Sequence, residues 1–203
     1  MTEQIKLKTN HNIRVVNLTT GDNVLCMFGE VRGDEDKVIG YRMLYPYKLT
    51  LGKENKDDLV LFLEDDYLHK ETMIEEMVMT YERISSQLKR EIFICPSDYP
   101  YLYTDIGQSK IFAGSNRHWR TVNKILCTFL VSKEHLSKYW DNFNKTCLIR
   151  NDPFEKHINE IFTKEICISP LKSLAVHITN INSSYGLSPY INYMKLWKEN
   201  ENV

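Results

Sequence analysis

Hydrophobic and polar positions alternate in short runs over the first fifty residues. Ile13, Val15, Val16 and Leu18 lead into a Gly21-Asp22-Asn23 turn signal, after which Val24, Cys26 and Phe28 share one face of a second strand. A charged turn, Arg32 to Asp36, precedes the run Val38 to Tyr45, and Pro46 interrupts the pairing before Tyr47 to Thr50. This pattern predicts a small β meander. The polar stretch Gly52 to Asp58 changes the texture of the chain, so a boundary is expected there, with residues 1–52 forming one domain and 53–203 another.

From Leu59 the pattern becomes that of a mixed α/β domain. LVLFL is a buried strand that ends abruptly in Glu64, Asp65 and Asp66. Met73, Met77, Tyr81, Ile84 and Leu88 then recur at helical spacing, predicting an amphipathic helix from about Lys70 to Lys89. A second buried strand, Glu91 to Cys95, runs into the turn-rich Pro96-Ser97-Asp98-Tyr99-Pro100. Strand, helix and strand in this order predict a βαβ crossover in a parallel sheet. Ligands gather at the carboxyl ends of such strands, so Glu64-Asp65-Asp66 and Asp98 are expected along one rim.

Further strands are expected at Ser109–Ala113 and Lys124–Ser132, with a loop carrying Arg117, His118, Trp119 and Arg120 between them. Two arginines, a histidine and a tryptophan form a cationic and aromatic surface suited to phosphate or sugar; the competing reading is a solvated loop with one anchoring tryptophan. A helix is expected from Lys133 to Asn144 with Leu136, Trp140 and Phe143 inward. Asp152-Pro153-Phe154-Glu155 has the form of a helix start, which explains Asp152 as a cap. A short strand at Glu165–Ser169 precedes an apolar run ending in His177, and Ser188-Pro189 is expected to open a terminal helix with Tyr190, Met194 and Trp197 on one face.

Charge and cysteines narrow the classes. With 26 basic and 27 acidic residues, no long-range field draws the whole chain to nucleic acid or to an acidic membrane, and no nucleic-acid partner is expected. Five scattered cysteines without a CxxC pair point to a reducing compartment rather than a thiolate zinc site. No apolar run approaches the roughly twenty residues of a membrane span, so a cytoplasmic protein is expected.

Three readings of Glu64-Asp65-Asp66 are open on chemistry alone. Hard carboxylate oxygens at a strand end suit magnesium or manganese, which keep some waters and complete their shell with a substrate's phosphates. One carboxyl with a raised pKa could serve as general acid or base. Otherwise the acids precede the next helix and stabilise its dipole.

Two resemblances extend this reading. IRVVNLTTGDNVLCMF and the strand ending in Tyr45-Pro46 resemble the opening strands of Sm-like proteins of tailed phages, over residues 13–50. That likeness implies a homo-oligomer built through the N-terminal strands, an interaction module without catalysis. From about Asp58 to Trp197, the ordered motifs FLEDDYLH, ICPSDYPYLY, SKIFAGSNRHWRT, SPLKSLAVHIT and LSPYINY resemble A-type-fold glycosyltransferases of bacteria and phages. This second likeness implies a partial nucleotide-diphospho-sugar transferase-like sheet and metal-assisted transfer of a sugar from a nucleotide-sugar to a glycan or other acceptor.

Carried over by residue, Glu64, Asp66 and His177 would hold a divalent cation, manganese or magnesium, against the donor diphosphate. Asp65 would lie beside the sugar. Arg117, His118, Trp119 and Arg120 would contact phosphate or acceptor, and Asp98 or Asp152 would be the catalytic base. The chain departs from that family where about sixty residues of β texture stand in place of the upstream nucleotide-binding half. An incomplete or inactive transferase is therefore among the expectations.

Overall fold

The computed structural model describes residues 59–64, 66–104, 107–148, 155–178 and 181–201, together with the backbone of four short strands nearer the N-terminus. In chain order the strands begin with β1 (Thr2–Gln4), β2 (Ile13–Val16), β3 (Val31–Arg32), β4 (Val38–Gly40), β5 (Leu59–Phe62) and β6 (Tyr67–His69). Helix α1 (Met73–Leu88) is followed by β7 (Phe93–Ile94), a 3₁₀ turn at Pro100–Tyr103, β8 (Ile111–Ala113), β9 (His118–Val122) and β10 (Phe129–Ser132). Helices α2 (Lys133–Lys138), α3 (Trp140–Leu148) and α4 (Lys156–Asn159) come next. A 3₁₀ turn, β11 (Cys167–Pro170), β12 (Ala175–His177) and α5 (Tyr193–Asn200) complete the order. The architecture is mixed α/β, with open, mostly antiparallel sheet and flanking helices. No helix among the described residues is long and apolar enough to cross a membrane.

The chain divides into two compact units, Met1–Asp65 with Ile125–Lys164, and Asp66–Lys124 with Glu165–Val203. This differs from the boundary expected at residue 52. Polar texture marked a connection but could not report that β2 pairs in parallel with β5, Ile13 opposite Leu59, and so joins the N-terminal strands to the strand beyond the linker. Of the strands expected in the meander, the segments 17–30 and 41–50 lie outside the described residues.

In the first unit β1 pairs antiparallel with β2, and β5 pairs antiparallel with β10 from Phe129 opposite Phe62 to Ser132 opposite Leu59. Both edges of β5 are thus occupied by β2 and β10, so α1 does not return the chain to a strand beside β5. The expected parallel βαβ pair gives way to this arrangement because periodicity reports which face is buried, not which strand is the neighbour. All four residues of β5 and all four of β10 are buried, as continuous apolar runs require. Phe62 meets Phe129 in a tilted contact with ring centroids 5.1 Å apart, and Phe129 stacks on Phe143 at 6.0 Å. Ser132 caps α2 by accepting the His135 N–H at 3.1 Å. The helix expected from Lys133 to Asn144 breaks at Tyr139 into α2 and α3, with Leu136 and Phe143 fully buried.

In the second unit β7 pairs in parallel with β11, β11 antiparallel with β9, and β9 antiparallel with β8. β6 and β12 form a separate antiparallel ribbon. Helix α1 buries Met73, Met77, Val78, Tyr81 and Ile84, the face its spacing predicts. It ends at Lys89 in the left-handed conformation, whose N–H returns to the Ser85 carbonyl. Helix α5 starts later than expected: Asn192, not Ser188, caps it by accepting the Lys195 N–H at 3.0 Å. Its inner residue is Leu196, packed with Leu68 and Val176. Tyr190, Met194 and Trp197 are exposed, because register against β6 and not residue size selects the buried face.

Candidate functional site

The β6–β12 ribbon places His177 opposite Tyr67, and the Ile178 N–H donates to the Asp66 carbonyl at 2.8 Å. That register brings the Asp66 and His177 side chains into contact, Oδ2 to Nε2 at 2.9 Å. The Tyr67 ring lies 4.9 Å from the His177 ring and steadies it. His177 Nδ1 is buried and has no hydrogen-bond partner among the described residues.

The Tyr67 hydroxyl bonds the Tyr99 hydroxyl at 2.7 Å, so the residues that follow Asp66 and Asp98 in sequence are tied together. Asp98 is itself fixed from three sides. Its N–H donates to Ser173 Oγ at 2.9 Å, Arg120 Nη2 donates to Oδ1 at 2.5 Å, and the Tyr103 hydroxyl donates to Oδ2 at 2.5 Å. Burial raises the Asp98 carboxyl above its ordinary range, and the Tyr103 and Arg120 bonds offset part of that rise. Tyr103 is pushed up to about 12 by burial and by the carboxylate it serves, while the Arg120 guanidinium lies 4.0 Å over its ring. At 1% exposure the Asp98 carboxyl is covered, with half-exposed Tyr103 bonded to it.

The remaining candidates are dispersed. Glu64 belongs to the first unit, where its N–H donates to Thr128 Oγ1 at 3.0 Å and its Oε2 accepts from the same hydroxyl at 3.2 Å. Asp65 and Asp152 lie outside the described residues. The expected cationic loop is instead strand β9, in which only His118 is exposed. Trp119 is fully buried, between Phe112 on β8 and Pro170 on β11 in register, and so cannot stack on a sugar from this position. Arg120 is buried against Asp98, and Arg117 Nη1 donates to the Lys172 carbonyl at 2.6 Å while Nε lies 3.7 Å from Glu76. Sequence reasoning missed Tyr67, Tyr99 and Tyr103. The signal was present in the clustered tyrosines of Tyr99-Pro100-Tyr101-Leu102-Tyr103.

Among the described residues no group of three or more His, Cys, Asp and Glu side chains could hold a metal ion. Asp66 and His177 would supply two protein ligands at most, and their 2.9 Å Oδ2–Nε2 contact is the distance of a direct hydrogen bond between them.

His69, at the other end of β6, carries a testable consequence. Its Nδ1 lies 3.1 Å from Met73 Sδ, and burial lowers its pKa from 6.5 to about 4. The unfolded chain therefore takes up a proton that the folded chain refuses, and stability is lost as pH falls below 6.5. Between pH 7 and pH 5 the loss should reach about 2 kcal/mol. Urea denaturation at both pH values checks this; the drop should be smaller by that amount in His69→Leu.

Compared with models of known protein families, with curated proteins and with solved structures, the chain matches none.

Proposed function

We propose that the chain carries a nucleotide-sugar transferase site of the A-type kind, in which Asp66 and His177 hold a magnesium or manganese ion. The observation that supports this reading is the Asp66–His177 contact at 2.9 Å. The glycosyltransferase likeness assigns both residues to the same cation although more than a hundred positions separate them, and nothing local in the sequence requires them to meet.

When bound, the cation would supply Lewis-acid stabilisation of the charge on the leaving nucleoside diphosphate. Asp66 and His177 would hold it, with the Tyr67 ring 4.9 Å from the imidazole. Asp98 is the base: its raised carboxyl takes the acceptor hydroxyl proton once Tyr103 has moved, as the acceptor oxygen bonds to the sugar's anomeric carbon and the diphosphate departs.

Manganese titrations with uridine diphosphate and with a panel of nucleotide-sugars test the proposal. Binding should require the metal and raise the melting temperature by mass action. It should weaken at least tenfold in both Asp66→Ala and His177→Ala. Binding that ignores the metal, or that is unchanged in Asp66→Ala, overturns the proposal.

A further inference from the structure

Strand β8 ends the sheet of the second unit: β9 occupies one of its edges, and no described strand pairs with the other. The phase of the β8–β9 ladder is fixed by two bonds of 2.9 Å, from the Thr121 N–H to the Lys110 carbonyl and from the Gly114 N–H to the Arg117 carbonyl. Hydrogen-bonded and non-hydrogen-bonded positions alternate along an antiparallel pair, so Lys110, Phe112 and Gly114 turn their main-chain groups to β9. Ile111 and Ala113 turn theirs outward. No described residue bonds to those outward groups. Both residues are exposed, Ile111 at 55%, and residues 107–110 leading into the strand are exposed as well.

The β6 edge is closed where the β8 edge is open. Bonds from the Ile178 N–H to the Asp66 carbonyl and from the Lys70 N–H to the Leu174 carbonyl turn His69 outward by the same alternation, and Asn200 of α5 donates to the His69 carbonyl at 3.0 Å. An edge without such cover is a template for another strand. The sequence of β8 and its flanks, Lys110-Ile111-Phe112-Ala113-Gly114, is complementary to itself. A two-fold axis through Phe112 sets Ile111 opposite the partner's Ala113, and the outward N–H and C=O groups of these residues then form four main-chain bonds. Large meets small where Ile111 faces alanine, ring meets ring at Phe112, and Lys110 faces a glycine. The two copies of Lys110 are four positions apart, about 13 Å along the strand, beyond the ~10 Å screening length at 0.1 M salt. Exposed Met79 of α1, with Sδ 3.9 Å from Ser115 Oγ, adds apolar surface at the end of β8.

We propose that β8 pairs antiparallel with β8 of a second copy of this chain, in register about Phe112. The main-chain groups alone would accept any extended peptide; the side chains select a second copy, because every cross-strand pair of the symmetric register is apolar or sets the one charge against glycine. This edge is distinct from the N-terminal strands to which the Sm-like likeness assigns assembly. It also adjoins the candidate site, since Ile111 stands opposite Arg120, the partner of Asp98. The inference does not rest on the transferase reading.

Sedimentation equilibrium of the full chain tests the pairing. So short a contact predicts a monomer–dimer equilibrium with a dissociation constant on the order of tens of micromolar. Ile111→Lys with Ala113→Lys should weaken it at least tenfold by setting lysine opposite lysine, and Ile111→Glu with Ala113→Glu should do the same. Both pairs of changes fall on exposed side chains, so the fold is retained. An equimolar mixture of the two double variants should dimerise again, because each lysine then faces a glutamate. Register has its own check: with oxidised glutathione as oxidant, Phe112→Cys should form a disulfide-linked dimer, and Lys110→Cys should form no more than the parent. A parent that remains monomeric at about 1 mM overturns the proposal. So does a dimer that persists in both double variants, a mixture that stays monomeric, or equal cross-linking of Phe112→Cys and Lys110→Cys.

Discussion

Arg120→Met is expected to lower the unfolding free energy by about 3–5 kcal/mol at pH 7, the cost of leaving a buried carboxylate without its cation. Asp98 is almost wholly buried, and Arg120 supplies one of its two side-chain partners. Methionine fills much of the same volume, so the loss reports charge rather than a cavity. The pH dependence gives an independent check. Asp98 is already raised by burial in the parent, so its folded state takes up a proton more readily than the unfolded chain, and stability declines as pH rises through the folded pKa. Removing Arg120 raises that pKa further. The deficit of the variant should therefore shrink as pH is lowered from 7 towards 4.5, and Asp98→Asn combined with Arg120→Met should recover part of it. Urea denaturation at the two pH values measures both effects; a deficit under 1 kcal/mol at pH 7 would show that water reaches Asp98.

The second large effect is expected at Trp119. Truncation to alanine should cost about 3–5 kcal/mol, since the indole is the largest fully buried side chain in the described core. Its neighbour Gly114 shows how closely the site is filled. A Cβ there would lie 2.2 Å from Trp119 Nε1 and 2.7 Å from Thr80 Oγ1. Gly114→Ala should accordingly cost about 1–3 kcal/mol by overpacking. Combining it with Trp119→Phe should cost less than the sum of the two single changes, because the smaller ring vacates the space the new methyl needs. Denaturation of the four proteins closes this cycle, and strict additivity would show that the glycine and the indole do not share that space.

These two sites mark what was legible and what was not. Trp119 read either as part of a cationic and aromatic surface or as the anchor of a solvated loop, because it stands among Arg117, His118 and Arg120, and local polarity is all that a sequence window reports. The strand pairing that buries it depends on β8, about seven residues upstream, and β11, about fifty downstream. Asp98 was legible as an acid in a turn-rich loop. Its partners were not, since Tyr103 reaches it through a 3₁₀ turn and Arg120 through a strand from elsewhere in the unit. Which face of α5 is buried was not legible for a related reason: Met194 and Trp197 are the larger residues, while Leu196 packs with Leu68 of β6 and Asn200 donates to the His69 carbonyl.

The sequence by itself determined the local elements and their buried faces. Strand β5 with its acidic end, the apolar stripe of α1, and the buried strands β7 and β10 all follow from spacing and residue type, since alternation and helical period act within a few residues of one another. Tertiary structure alone decided the partners: β2 beside β5, β12 beside β6, Arg120 on Asp98, and Lys172 over Tyr190. Pairing across long stretches of chain depends on which edges remain open after all other strands have been placed, and no local pattern encodes that choice. The Asp66–His177 contact belongs to this second class, because the carboxylate and the imidazole meet only once β6 and β12 have found each other in register.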